Sequence, residues 1–378
     1  MTRLVYLSPV PWASFEQRPH KFVSWFHAKT GAEVLWIDPY AARFPRVSDL
    51  VRWRRGSTPT PTPAPAWLRV LRPMAAPIEP LPAVAHANRV FWSGLIDQIR
   101  RFAREEPALL VLGKPSLLAL QVLAALPSCA SIYDAMDDFP SFHEGLTRRT
   151  MHARERQIVS RVSTVWASSR TLQQRLAQQR GDVQLVPNGL DLALMPSAKN
   201  RRHTTSLVFG YVGTIANWFD WDLVVALALA RPWDRIRLIG PMDSQPSVPL
   251  PANIEVLPAR PHAEALEAMR EFDVGLIPFK RNSLTDGVDP IKYYEYRALG
   301  LAVLSTNFGE MSRRRGEPGV YLVGCNSDLA AEASKAAVDD SCLAPDFARQ
   351  HCWTAVFDAA TLPLLAQACS DFSSNLNF

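Results

Sequence analysis

Lys292 and Glu295 stand three residues apart in the run Asp289-Pro290-Ile291-Lys292-Tyr293-Tyr294-Glu295-Tyr296-Arg297-Ala298-Leu299-Gly300. On a helix that spacing puts an ammonium and a carboxylate on one face. Pro290 suits a first helical turn and Gly300 a helix end. A helix start presents free N–H groups and partial positive charge, a natural seat for phosphate, and a carboxylate can accept two hydroxyl hydrogen bonds. An exposed helix with an ordinary ion pair would show the same spacing. A second group of reactive types is Asp134-Ala135-Met136-Asp137-Asp138-Phe139. One of its carboxylates near an acceptor hydroxyl would serve as a general base, while turn and cap formation is the competing use of Asp. Arg18 and His20, in Gln17-Arg18-Pro19-His20, offer a cation and an imidazole where the first strand hands over to its helix. A solvated charge and a helix-start histidine are the alternatives.

These groups need elements to hold them. Around the first run, a strand-like segment (Phe272 to Pro278), a turn-rich loop ending at Gly287, the helix and a second strand (Ala302 to Ser305) describe a parallel-sheet unit. Its loop lies at the carboxyl edge, where α/β proteins bind ligands. Leu4 to Leu7, the helix Arg18 to Lys29, Gly31 and Val34 to Ile37 form an opening βαβ unit. Leu109 to Leu112, Ala130 to Tyr133 and Ser163 to Trp166 continue strand-like, so the acidic run sits at a strand's carboxyl end. Leu207 to Val212, then Gly213-Thr214 and the helix Asp220 to Ala230, open a second series, followed by Arg235 to Ile239 and Asn253 to Leu257. With no third glycine at dinucleotide spacing, Gly210 and Gly213 are a weak NAD signal. Gly213 instead fits a loop whose N–H groups approach a phosphate.

The run Pro290, Lys292, Glu295, Tyr296, Ala298, Gly300, followed by Val303 to Thr306, resembles the donor-site helix of GT-B glycosyltransferases. It is most similar to bacterial exopolysaccharide and teichuronic-acid-type enzymes related to glycosyltransferase family four. The resemblance implies an α/β protein of GT-B fold, two facing Rossmann-like domains with a cleft between them. It implies a ribose-holding role for Glu295 and a diphosphate-facing role for Lys292, which would offset charge on a departing nucleotide. It extends to Gly213, Thr214, Arg260, Pro290 and Tyr293 on the donor side, and to Arg18 and Asp289 as phosphate or acceptor contacts. Asp137 and His20 are the catalytic candidates. The acidic loop is similar to the family's Tyr-Asp-x-x-Asp stretch, and distantly to xanthan-assembly glucuronosyltransferases in which the aspartate matching Asp137 is the base. Pro187-Asn188-Gly189-Leu190-Asp191 is similar to the Pro-Asn-Gly-Val-Asp run that ends the first domain, with Leu190 for valine. Two departures stand out. Thr214 and Phe219 occupy positions that in many members carry the diphosphate-gripping arginine and lysine, and Gly287 replaces a glutamate eight residues before Glu295. Lys292 with Arg18, and Asp286 or Asp289, are the groups that could supply the missing charges.

A chain of 378 residues suits two domains, and 48% hydrophobic content is ordinary for globular protein. Expected bounds are 1–192 for an acceptor-side domain, 193–206 for a linker, 207–350 for a nucleotide-sugar-binding domain and 351–378 for a helix packing back on the first. The net charge of +5, from 41 Lys and Arg against 36 Asp and Glu, matters mainly through its distribution. Within 41–82, Arg43, Arg46, Arg52, Arg54, Arg55, Arg69 and Arg72 alternate with Trp53, Trp67, Leu68, Val70 and Leu71 around proline-rich Thr58 to Ala66. Read as a basic insertion, this mixture suits an anionic membrane surface. Single strands attract the same mixture, but no nucleic-acid motif accompanies it, so no nucleic-acid partner is expected. A solvated segment without a partner is the other possibility. Five cysteines without paired CxxC spacing favour a reducing compartment and argue against a zinc site. Met1 to Ser14, interrupted by Pro9 and Pro11, does not read as a signal peptide, and Ala108 to Pro127 is broken by Lys114 and Pro115. A cytoplasmic protein, peripheral on the inner face of the membrane, is the expectation.

The expected activity is transfer of a sugar from a UDP- or GDP-sugar to a hydroxyl of a lipid-linked or cell-surface polysaccharide precursor. No metal or other cofactor is expected, since the nucleotide sugar is itself a substrate. Kinship with family four implies retention at the anomeric carbon, whereas a base at Asp137 implies inversion. Two rival classes share these features: a nucleotide-sugar 2-epimerase on the same double domain, and a binding module without catalysis.

Overall fold

Short apolar runs with few polar interruptions, such as Ala108-Leu109-Leu110-Val111-Leu112, cannot present a wet face, so they form strands covered on both sides by helices. The computed structural model describes residues 3–40, 63–75, 82–197, 206–324, 327–341 and 346–375. They fall into two compact units, residues 1–186 with 357–378, and residues 187–356.

The first unit runs β1 (Arg3–Leu7), α1 (Arg18–Thr30), β2 (Glu33–Ile37), β3 (Leu68–Leu71), α2 (Pro82–Phe91), α3 (Ser93–Glu105), β4 (Ala108–Leu112), α4 (Leu117–Ala125), β5 (Ala130–Ala135), a 3-10 turn (Phe139–Phe142), α5 (Gly145–Val159), β6 (Thr164–Ala167), α6 (Arg170–Ala177) and β7 (Val183–Leu185). Its seven strands lie in the order β3-β2-β1-β4-β5-β6-β7, all parallel. Helix punctuation follows local chemistry. Gly31 takes the left-handed conformation at φ 67° to end α1, and Ser116 and Ser169 cap α4 and α6 through their hydroxyls.

The second unit runs β8 (Val208–Val212), α7 (Trp221–Ala230), β9 (Arg235–Ile239), β10 (Ile254–Leu257), α8 (His262–Met269), β11 (Val274–Ile277), a 3-10 turn (Thr285–Gly287), α9 (Ile291–Ala298), β12 (Ala302–Thr306), α10 (Gly309–Arg313), β13 (Val320–Val323), α11 (Leu329–Val338) and α12 (Phe347–Gln350). Its six parallel strands lie in the order β10-β9-β8-β11-β12-β13. The last helix, α13 (Trp353–Asn375), begins in this unit and from Phe357 belongs to the first. There Phe357 packs on Phe22 at 5.2 Å between ring centroids, and Asp358 accepts from Trp25 Nε1 and Lys29 Nζ, both at 2.9 Å.

Three features differ from the expectations. Leu68–Leu71, placed in a basic insertion, is instead the edge strand β3, paired in parallel with β2. An edge strand needs only one apolar side, and Arg69 faces solvent from it. Trp67 lies stacked on His27 at 4.3 Å, and Arg72 pairs with Asp38 at 3.4 Å. Arg43, Arg46, Arg52, Trp53, Arg54 and Arg55 lie outside the described residues, as does most of the expected linker. Second, the Asn188-Gly189-Leu190-Asp191 run falls in the second unit, where Leu190 bridges to Cys352. Third, α9 starts one residue late. Pro290 is its N-cap, with ψ 120°, and stays out of the first turn.

Two glycines set how closely α9 approaches its sheet and how the neighbouring loops nest. A Cβ on Gly275 in β11 would lie 2.4 Å from the Tyr296 ring, and one on Gly240, at φ 150°, would lie 2.1 Å from the Gly213 carbonyl oxygen. Gly275→Ala should push α9 off the sheet and destabilise the second unit by about 1–3 kcal/mol. A thermal melt monitored by circular dichroism reads this as a lowered Tm.

Candidate functional site

Parallel strands deliver the loops after them to one edge of the sheet, and in the second unit these loops carry the donor-side candidates. Gly213 follows β8 at φ 142°. A Cβ there would lie 2.6 Å from both Cε and Nζ of Lys292, so the lysine occupies the space the glycine leaves open. Lys292, in the first turn of α9, is half-buried, with its ammonium 5.2 Å from the Tyr211 ring centroid and 5.8 Å from that of Phe279. Among the described residues it makes no ion pair. Burial pushes its pKa below the usual lysine range, opposed by the nearby Glu295 carboxylate. Thr214 is half-buried and its carbonyl accepts from Tyr211 Oη at 2.8 Å. Phe219, where a basic residue was the alternative, is wholly buried against Tyr211 and Trp221 and is a core side chain.

Glu295, one turn along α9, is buried, and His262 Nε2 lies 2.9 Å from its Oε1. His262 opens α8, directly after the β10 loop, and is 38% exposed. It had not been singled out in the sequence. The signal was its place two residues beyond Arg260, in the loop expected near the nucleobase. Arg260 itself is exposed.

Not every candidate joins this group. Asp289 is only 3% exposed and fully engaged. Its Oδ1 pairs with Arg314 Nη2 at 2.8 Å, and its Oδ2 accepts from Asn188 N at 2.9 Å and Tyr294 Oη at 2.8 Å. Its position therefore argues for an architectural role; contact with a phosphate would set like charges together. Tyr293 is likewise occupied, donating to Glu317 at 2.7 Å under the Arg314 guanidinium, 3.9 Å from its ring centroid. Pro290 is buried as the helix cap.

In the first unit Arg18 and Asp134, each 1% exposed, form a buried pair. Arg18 Nε lies 3.1 and 3.0 Å from the two carboxylate oxygens. The guanidinium is thus committed within the fold, and a diphosphate could reach it only by displacing Asp134. His20 is committed as well. Its Nδ1 accepts from Gln17 N at 3.2 Å, so Nε2 carries the proton and donates to Trp12 O at 3.2 Å. Burial lowers its pKa and holds the ring neutral, a helix-start residue with both nitrogens in use.

Asp138 accepts from Ser141 Oγ at 2.8 Å and lies 3.5 Å from Arg175. Of the three carboxylates after β5, this leaves Asp137 without a side-chain partner among the described residues. It is half-buried, and its pKa is pushed up to about 7, chiefly by burial, with Asp134 and Asp138 adding and Arg18 opposing. Among the described residues no three His, Cys, Asp or Glu side chains gather as a metal site would require, and no helix is long and apolar enough to cross a membrane.

The architecture has solved counterparts. Sucrose-phosphate synthase from Thermosynechococcus elongatus superposes with a TM-score of 0.64 over 99% of this chain and 100% of its own, at 14% identity. Anabaena HepE in complex with UDP gives 0.63 over 97% and 100%, at 12% identity. The lipopolysaccharide outer core galactosyltransferase WaaB gives 0.63 over 97% and 99%, at 10% identity. This chain has the GT-B fold. No family model matches it. In sequence, the GT-B chain is related to a Bacillus subtilis (strain 168) protein provisionally described as the teichuronic acid biosynthesis glycosyltransferase TuaH. The two are 27% identical over 190 residues, 46% of this chain, and the match spans about half (47%) of that relative's length.

The two kinds of buried charge predict opposite responses. Arg314→Met strands Asp289 in the interior and should cost about 3–5 kcal/mol, read by chemical denaturation. Lys292→Met removes a desolvated ammonium without a carboxylate partner. Because the unfolded chain binds that proton more tightly, the penalty is fully present below the lowered pKa and fades as pH rises toward the usual value of about 10.4. At pH 7, Lys292→Met should therefore leave the ligand-free Tm unchanged or raise it by roughly 2–4 °C.

Proposed function

We propose that this GT-B chain transfers a sugar from a UDP- or GDP-sugar to a hydroxyl of a lipid-linked or cell-surface polysaccharide precursor. The observation that carries this is the Lys292 ammonium, without an ion-pair partner among the described residues, held over Gly213 with Glu295 one helical turn away. A half-buried cation outside any ion pair is a seat for an anion, and the carboxylate one turn along suits ribose hydroxyls. Anabaena HepE is known in complex with UDP and with UDP-glucose, and the TuaH description names teichuronic acid biosynthesis, which supports this substrate class.

In the transfer, the bond from the anomeric carbon to the diphosphate oxygen breaks and its electron pair leaves on the nucleotide. The acceptor oxygen forms the new bond and its proton passes to a base. Lys292, in the space that Gly213 leaves open, offsets the charge that grows on the departing diphosphate, without a metal in this scheme, whereas the Gly213 and Ile215 N–H groups already donate to the carbonyls of Ile239 and Pro241. Asp137 takes the acceptor proton, since a carboxyl with a pKa of about 7 is a competent base at neutral pH. Base-assisted direct attack inverts the anomeric carbon, whereas the kinship with family four favours retention; proton NMR of the first-formed product separates the two. The setting we infer is cytoplasmic, with the basic stretch Arg43 to Arg55 as the segment that would meet an anionic membrane face.

Calorimetric titration with UDP, GDP, ADP and dTDP, with and without magnesium, is the direct test. Saturable binding of one nucleotide, weakened about tenfold or more in Glu295→Gln and Lys292→Ala, is the expected result. No binding of any of the four removes the proposal. Asp137→Asn should lower kcat by about 10²- to 10⁴-fold with nucleotide affinity kept, and wild-type kcat should fall as pH drops through about 7, where Asp137 becomes protonated. Full activity in Asp137→Asn would exclude it as the base.

A further inference from the structure

The loop after β12 holds a polar group with nothing to bind. In Ser305-Thr306-Asn307-Phe308, the Ser305 hydroxyl reaches the carbonyls of Ile277 and Thr306, and the Thr306 hydroxyl donates to the carbonyl of Phe279. The Asn307 amide oxygen is buried yet lacks a hydrogen-bond partner, and among the described residues the amide makes no other polar contact. Leaving a buried acceptor unmade costs about 1–3 kcal/mol, and native proteins avoid it unless something else fills the position. A leucine of similar size would carry no such penalty.

Its place along the sheet edge indicates what fills it. Asn307 sits between Thr306 and Phe308, both of which touch Phe279; the Phe308 and Phe279 rings lie 5.2 Å apart. The Lys292 ammonium lies 5.8 Å from the same Phe279 ring, so the lysine and the loop that carries Asn307 meet at one phenylalanine. In the strand order β10-β9-β8-β11-β12-β13, His262, which follows β10, reaches Glu295 on the helix after β11; Gly213 follows β8 and Asn307 follows β12. Each step of two strands is about 10 Å. A nucleotide sugar is linear, with nucleoside, diphosphate and sugar in that order. With ribose at the β10 side and diphosphate at Gly213 and Lys292, the sugar falls toward β11 and β12.

We propose that Asn307 reads the transferred sugar: its Oδ1 accepts from a sugar hydroxyl and its Nδ2 donates to a neighbouring sugar oxygen. This rests on the donor-site reading given above and adds the residue that distinguishes a nucleotide sugar from the bare nucleotide. A two-sided amide contact also ties donor choice to hydroxyl configuration, since one epimer presents its hydrogen where the other does not.

The test compares Asn307→Leu and Asn307→Asp with wild type, titrating UDP and GDP alongside UDP-glucose, UDP-galactose, UDP-glucuronate and GDP-mannose. The expected result for Asn307→Leu is an unchanged or raised ligand-free Tm and nucleoside diphosphate affinity within about twofold of wild type. The preference for the best nucleotide sugar over its nucleotide should fall about tenfold, the loss of one or two buried hydrogen bonds. Asn307→Asp, which keeps the acceptor and loses the donor, should fall between. A wild-type sugar preference in Asn307→Leu overturns the assignment. So does an equal loss of nucleotide and nucleotide-sugar affinity, or a lowered Tm, since either makes Asn307 a structural residue. If wild type binds neither UDP nor GDP, the donor-site proposal itself fails, and the two failures stay distinct.

Discussion

The second unit depends on a carboxylate that cannot leave its partners. Asp289 immediately precedes the cap of α9, and three segments converge on it: Arg314 at the end of α10, Tyr294 from α9 itself and the backbone of Asn188 from the chain entering the unit. The Asn188 amide also donates to the Asp289 carbonyl at 2.7 Å, so both the side chain and the main chain of this residue are held. These bonds fix where α9 begins. Lys292 and Glu295 inherit their positions from that start, and Tyr296 completes the placement by lying flat against Gly275 and accepting from Val212 N at 3.2 Å. Charge is buried here at considerable desolvation cost, and that cost is offset because every oxygen of the carboxylate is paired.

The first unit treats its charges in the same way and arrives at a complementary result. Arg18 neutralises Asp134, and Ser141 and Arg175 engage Asp138, which leaves Asp137 as the carboxylate with no side-chain partner among the described residues. Its raised pKa follows from burial and from the two neighbouring acids, with Arg18 limiting the shift. Removing Asp134 would take away one of those acids and strand Arg18, so the pair beneath Asp137 supports both the fold and the basicity of the loop.

How much of this was legible depended on sequence distance. Alternating apolar strands and helices gave both sheets, because periodicity and Gly or Ser punctuation are local properties. The spacing of Lys292 and Glu295 was equally local. Asp289 and Asp137 look alike as sequence, both acids near a helix or turn, and only partners 25 and 101 residues from Asp289 separate their roles. The same holds for Glu295 and His262, 33 residues apart, and for Arg18 and Asp134, 116 residues apart. Leu68–Leu71 was hidden for another reason. An edge strand tolerates arginine on its outer side, so its composition resembled the basic stretch before it.

The Lys292 ammonium also bears on stability. A site that holds a half-buried charge outside any ion pair is relieved when an anion binds, and a ligand that binds only the folded form raises stability with the logarithm of its concentration. The empty form therefore opens more often, and proteases act on the opened form. If that anion is the proposed nucleotide, the survival of this chain in the cell would follow the nucleotide's supply.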